Sequence, residues 1–180
     1  MSNYSDFVTG GGGSGGGINE IEIKPDEFIM DENDTDIDAG TIFDIFDTAD
    51  FSPDGTGSIW FNFNMPDGFD ITKDVLFDLK YALNGADNSK SIILGTDCWA
   101  VDETDTPVEG SPDVSASDTL TSSSTNTGKM TSVSLTNGKI ANALIGSTTQ
   151  RFAVKISREG VTDTYTGTFQ LMSVRVYQAS

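Results

Sequence analysis

Hydrophobic and polar residues alternate most clearly between Ser58 and Pro66, where Ile59, Phe61, Phe63 and Met65 fall on one face of an extended chain and Trp60, Asn62 and Asn64 on the other. Pro53-Asp54-Gly55 before this run and Pro66 after it set its limits, since proline cannot donate to a strand ladder. The same period of two places Val75, Phe77, Leu79, Tyr81 and Leu83 against Asp74, Asp78 and Lys80. It recurs over Ser91–Val101, with Ile92, Leu94 and Cys98 on one side, Ile93, Trp99 and Val101 on the other, and a bulge expected at Thr96-Asp97. Met130 to Leu135, Arg151 to Arg158 and Tyr165 to Tyr177 complete the clear strands, the last two expected as a hairpin through Glu159-Gly160 to Thr164. The Ser58 to Pro66 strand is expected at the centre of a sheet, with the Asp74 to Leu83 strand as its neighbour.

The rest of the chain is less regular. Thr41 to Phe51 carries Ile42, Phe43, Ile45, Phe46 and Phe51 and reads as a strand reaching the core. Ile18 to Met30 alternates weakly around Pro25, as an edge strand or extended lead-in would. Asp102 to Thr127 is poor in apolar residues and reads as a long excursion holding one edge strand. Ile140, Ala141, Leu144 and Ile145 suggest a short helix or turn. About seven to nine short strands separated by turn signals predict an all-β, antiparallel domain, a sandwich or a barrel.

Composition supports that class and narrows the function. The 180 residues are 36% apolar, enough for one core, and 19 glycines with abundant Thr, Ser, Asp and Asn favour strands and turns over helices. A formal charge of −18 and a pI near 4.1 argue against nucleic acid, and no segment has the apolar length of a membrane span. The first residues lack the basic and apolar regions of a signal peptide, so synthesis and use without export are expected. The charge is uneven: 14 acids and only Lys24 lie within residues 1–57, whereas residues 119–180 hold Glu159 and Asp163 against six bases. Such polarity suits an acidic N-terminal region lying against a basic surface.

Residues 10–17, Gly-Gly-Gly-Gly-Ser-Gly-Gly-Gly, have nothing to pack and read as a linker joining a short segment with Tyr4, Phe7 and Val8 to the rest. The division that follows is a docking arm over 1–17, an acidic lead-in over 18–40 and the β domain over 41–180. The docking residues are Tyr4, Phe7, Val8, Gly11 and Gly15, an extended segment of this kind gaining affinity through backbone pairing with a neighbour's sheet edge.

Candidate chemistry is sparse. With no histidine and one cysteine, Cys98, there is no nucleophilic triad, no disulfide and no usual metal ligand, and Cys98 reads as a small buried apolar residue. The acidic stretch Asp31 to Gly40 resembles a calcium loop, but counting from Asp34 the glycine falls seventh and the twelfth residue is Ile45, so it reads as a solvated loop and not a metal site. Carboxylate pairs are too numerous to single out a glycosidase site, and no cofactor motif is present. No enzyme is expected. Trp60, Asn62 and Trp99 are the candidates for a surface or subunit contact, and the two tryptophans would form a sugar-stacking platform if they face outwards.

From Thr41 onward the order of features resembles the jelly-roll domains of tailed-bacteriophage virion proteins. The resemblance runs through Phe46 to Phe51, Ser58 to Pro66, Asp74 to Leu83, Phe152 to Arg158, Thr164-Tyr165-Thr166-Gly167 and Leu171 to Tyr177. It implies a jelly-roll β-sandwich acting as a structural virion protein, a capsid decoration or head-fibre protein made in the host cytoplasm. It further implies the major capsid or tail protein as partner, reached through the N-terminal arm, and a homo-oligomer such as a trimer. The alternative is a receptor-binding or carbohydrate-binding tip domain of a tail fibre.

Overall fold

The computed structural model describes residues 20–31, 34–42, 44–85, 87–101, 110–123 and 127–179. The strands are β1 (Glu20–Ile23), β2 (Ile29–Met30), β3 (Ile37–Ile42), β4 (Phe46–Phe51), β5 (Ser58–Asn64), β6 (Val75–Asn84), β7 (Ser91–Val101), β8 (Val114–Thr121), β9 (Thr131–Ser134), β10 (Arg151–Arg158) and β11 (Thr168–Gln178). They form two antiparallel sheets, one ordered β3-β4-β11-β6-β9 with β1 also on β11, the other β2-β5-β10-β7-β8. The chain is an antiparallel β-sandwich of jelly-roll type, closed over one apolar layer.

That layer consists of the inward sets the alternation predicts. Ile59, Phe61, Phe63 and Met65 are buried, as are Val75, Phe77, Leu79, Tyr81 and Leu83 from the facing sheet. Phe61 and Phe63 meet Phe77 edge-on at 6.2 and 6.5 Å across the core, and Phe152 stacks on Phe63 at 5.1 Å. These contacts correct the expected pairing: β5 and β6 face each other from different sheets. The neighbours of β5 are β2 and β10, so it lies second from the edge and β10 holds the centre. Both strands expose one apolar face, and packing those faces together buries more than side-by-side pairing would.

Three further expectations change. β10 and β11 lie in opposite sheets, so the segment joining them crosses the sandwich instead of making a hairpin. No bulge interrupts β7 at Thr96-Asp97, where pairing with β10 runs unbroken; the register shift is in β11, between Leu171 and Ser173. It marks the place where β11 exchanges β4, paired at Phe169–Leu171, for β1, paired at Val174–Tyr177. The boundary expected at residue 41 is also absent, because β1 and β3 are strands of one sheet and β2 of the other. Asp102 to Thr127 does hold one edge strand, β8, and Asn142–Leu144 forms a single 3-10 turn.

The acidic lead-in fastens a turn. The Asp34 carboxylate accepts N–H bonds from Asp36 and Ser58, and Asp36 accepts one from Thr56 at 3.0 Å. Gly55 sits so close that a Cβ there would lie 1.9 Å from the Asp36 carboxyl carbon. At the other crossing, the Arg158 guanidinium, fully buried, uses all five N–H groups. Two go to Asp163, itself 1% exposed, and three to the carbonyls of Phe51, Tyr165 and Gly167. One side chain thus ties the end of β4, the end of β10 and the β10–β11 connection. Among the described residues, Arg175 with Glu20 is the ion pair that links the acidic N-terminal region to the basic C-terminal third.

Candidate functional site

The outer face of the β2-β5-β10-β7-β8 sheet gathers the two tryptophans. Register places Ala153 of β10 between Asn62 and Trp99, and Lys155 between Trp60 and Asp97. Because Ala153 has no side chain beyond Cβ, the indoles from the flanking strands can close over β10. Trp60 and Trp99 stack with centroids 5.0 Å apart and planes at 26°, a contact contributing about 1 kcal/mol beyond area burial. Trp99 is buried, at 5% exposure, and acts as the backing plate; Trp60 is half-buried and carries the outward surface.

Polar groups surround that surface. The Lys155 ammonium lies over the Trp60 ring, 5.5 Å from its centroid. One row along, Arg151 pairs in register with Asn64 on β5 and Val101 on β7, and the side chains of Asn62, Asn64 and Arg151 are exposed. On the other flank Ile29 of β2, opposite Trp60 in register, is 55% exposed and extends the apolar patch to the sheet edge. An aromatic surface with amide, ammonium and guanidinium groups around it can cover the C–H face of a ring while bonding hydroxyls at its rim.

A second feature is a recess of about 500 Å³ at the sandwich edge, lined by Phe28, Met30 and Ile37 together with Asp31, Asp34 and Asp38. Asp34 is already engaged with backbone N–H groups, and Phe28 is buried. The Trp60 face is the better developed of the two.

Sequence reasoning named Trp60, Asn62 and Trp99, and the fold brings all three onto one face. Arg151, Ala153 and Lys155 were not singled out, although their alternation with Phe152, Val154 and Ile156 marks them as the outward set of β10. Tyr4, Phe7, Val8, Gly11 and Gly15, assigned to docking, lie outside the described residues. Cys98 is buried on the inner face of β7, and that burial, with Asp97 and Asp113 nearby, pushes its thiol up to about 12, which suits packing and not nucleophilic chemistry.

No family model and no curated protein matches the chain. Solved structures that share its fold include two carbohydrate-binding modules. One is the C-terminal family 6 carbohydrate-binding module of a marine laminarinase from Zobellia galactanivorans, at 12% identity and a TM-score of 0.51, over 88% of this chain and 99% of that one. The other is a family 35 carbohydrate-binding module from Clostridium thermocellum, at 10% identity and a TM-score of 0.54, over 89% and 98%. Both are carbohydrate-binding modules and not virion proteins, so the resemblance to phage domains gains no support from them.

Proposed function

We propose that this protein is a non-catalytic carbohydrate-binding domain that holds a glycan against Trp60. The observation that carries the reading is the half-buried Trp60, braced from behind by Trp99 and ringed by Asn62, Asn64, Arg151 and Lys155 on one sheet face. Two carbohydrate-binding modules with the same fold support it. A sugar ring covering about 60 Å² of apolar indole surface gains roughly 1.5 kcal/mol, about tenfold in affinity, before any hydrogen bond is counted. Asn62 and Asn64 can each donate to and accept from a hydroxyl, and a rigid β-strand scaffold keeps the ordering cost low.

In a virion, such a domain would serve as the receptor-binding tip of a fibre, the alternative that sequence raised beside capsid decoration. The test is a panel of soluble oligosaccharides titrated calorimetrically against the full chain and against Trp60→Ala. Binding by the wild type, weakened at least about tenfold in a variant whose thermal midpoint stays within a few degrees, is expected. A panel spanning glucans, xylans, mannans and galactans, neutral and acidic, with no ligand bound would sink the proposal.

A further inference from the structure

The charge pattern on the same face says which glycans it takes, and we infer that the ligand is anionic, bearing a carboxylate or sulfate group bound between Arg151 and Lys155. This rests on the carbohydrate reading of the Trp60 face.

The chain has 28 acids and only 10 bases, so two bases gathered on one sheet face stand out. Lys139, Arg158 and Arg175 are each ion-paired, with Asp74, Asp163, and Glu20 and Asp78 respectively. Arg151 and Lys155, like Lys24, Lys73, Lys80, Lys90 and Lys129, are in no ion pair among the described residues; what sets them apart is that both project from the central strand onto the tryptophan platform. Four residues apart on one strand, they lie about 13 Å from each other along its axis.

Among the described residues, the acids near them leave this positive stripe in place. Asp97 flanks Lys155 in register but forms no ion pair with it within 4 Å. The Asp113 carboxylate accepts the Ala100 N–H at 2.8 Å, and Glu159 accepts from the Ser157 hydroxyl at the far end of the strand. Arg151 has Asn64 and Val101 as its register neighbours and no acid in its row. Its forked donors match a carboxylate or sulfate, and Asn64 beside it can add a further N–H.

Lys155 adds a second argument. Its ammonium sits over the Trp60 ring, so a sugar stacking there must displace it. A neutral sugar offers it only a hydroxyl in exchange for the cation–π contact, whereas an anionic substituent offers a charge-assisted bond. The protein's overall negative charge opposes polyanions at long range, but at physiological salt a screening length of about 8 Å confines that repulsion and leaves the local pairs.

Matched ligand pairs decide the matter: xylo-oligosaccharides with and without glucuronate branches, galacturonate oligomers against galactose oligomers, and sulfated against unsulfated galactan. Each is titrated into the full chain and into R151Q, K155Q and W60A, with folding checked by circular dichroism. The expected result is at least about tenfold tighter binding of the acidic member of a pair, with R151Q and K155Q each weakening the acidic member far more than the neutral one and so removing most of that preference. The uronate and sulfate arms show which anion is taken. Neutral members binding as well as acidic ones, with W60A still abolishing both, would overturn the anionic inference and leave the carbohydrate reading standing. If no member binds, the carbohydrate reading itself fails.

Discussion

Removing the Asp163 carboxylate should destabilise the sandwich more than any surface change. Arg158 is 0% and Asp163 1% exposed, and Arg158 spends two of its five N–H groups on Asp163 and three on the carbonyls of Phe51, Tyr165 and Gly167. Asp163→Ala leaves a buried, uncompensated guanidinium and removes one of the two acceptors of the Tyr165 N–H, which keeps its bond to the Ser91 carbonyl. Breaking a buried pair from one side costs about 3–5 kcal/mol. For a chain of this size that lowers the thermal midpoint by about 10 °C. Buried ion pairs can often be exchanged for apolar residues at little cost, but here the double variant R158M/D163L would strand three carbonyls, each costing about 1–3 kcal/mol. It should therefore stay several kcal/mol below the wild type. Urea unfolding followed by tryptophan fluorescence and far-ultraviolet circular dichroism measures both values, coincident curves and an unchanged slope indicating a stability effect. A loss below about 1 kcal/mol for Asp163→Ala, or a double variant as stable as the wild type, would refute the clamp.

Three smaller tests address other parts of the fold. The Asp118 carboxylate, buried at the β8 edge, accepts N–H bonds from Thr136, Asn137 and Gly138. Asp118→Ala should cost about 3 kcal/mol and speed amide exchange at those three residues; unchanged exchange would show that the turn holds itself. Cys98, its thiol raised to about 12 from 9.0, should resist a thiol reagent at pH 8 until urea unfolds the chain. Because the folded value is the higher, its contribution is full below pH 9 and is lost as pH climbs towards 12; a Cys98→Ala variant with the same alkaline profile would count against it. Asp74 is held below the usual 3.8 by the Lys139 ammonium and the Asn142 N–H. Its contribution is present above that value and fades as pH falls below it, so Asp74→Asn should lose stability at neutral pH and converge with the wild type in acid, as urea midpoints across that range would show.

The inward and outward sets of each strand were legible in the sequence because alternation along an extended chain is a local property. Phe61, Phe63, Phe77 and Val154 had to be inside whatever the strand order, and Trp60, Asn62 and Trp99 had to share an orientation opposite the core. The all-β class followed from the same periodicity and the turn residues between runs. Strand order did not follow, because pairing partners are chosen by how two apolar faces close over each other and not by proximity in the chain. That choice put β5 opposite β6, moved β10 to the centre of its sheet and carried the Glu159–Thr164 segment from one sheet to the other. The site depends on that choice. Trp60 and Trp99 stack only because β10 lies between their strands with Ala153 in the gap, and only there do Arg151 and Lys155 reach the same face. The outward side chains were set by local geometry; their assembly into one platform was decided by tertiary packing, since register between distant strands is fixed by the core beneath them.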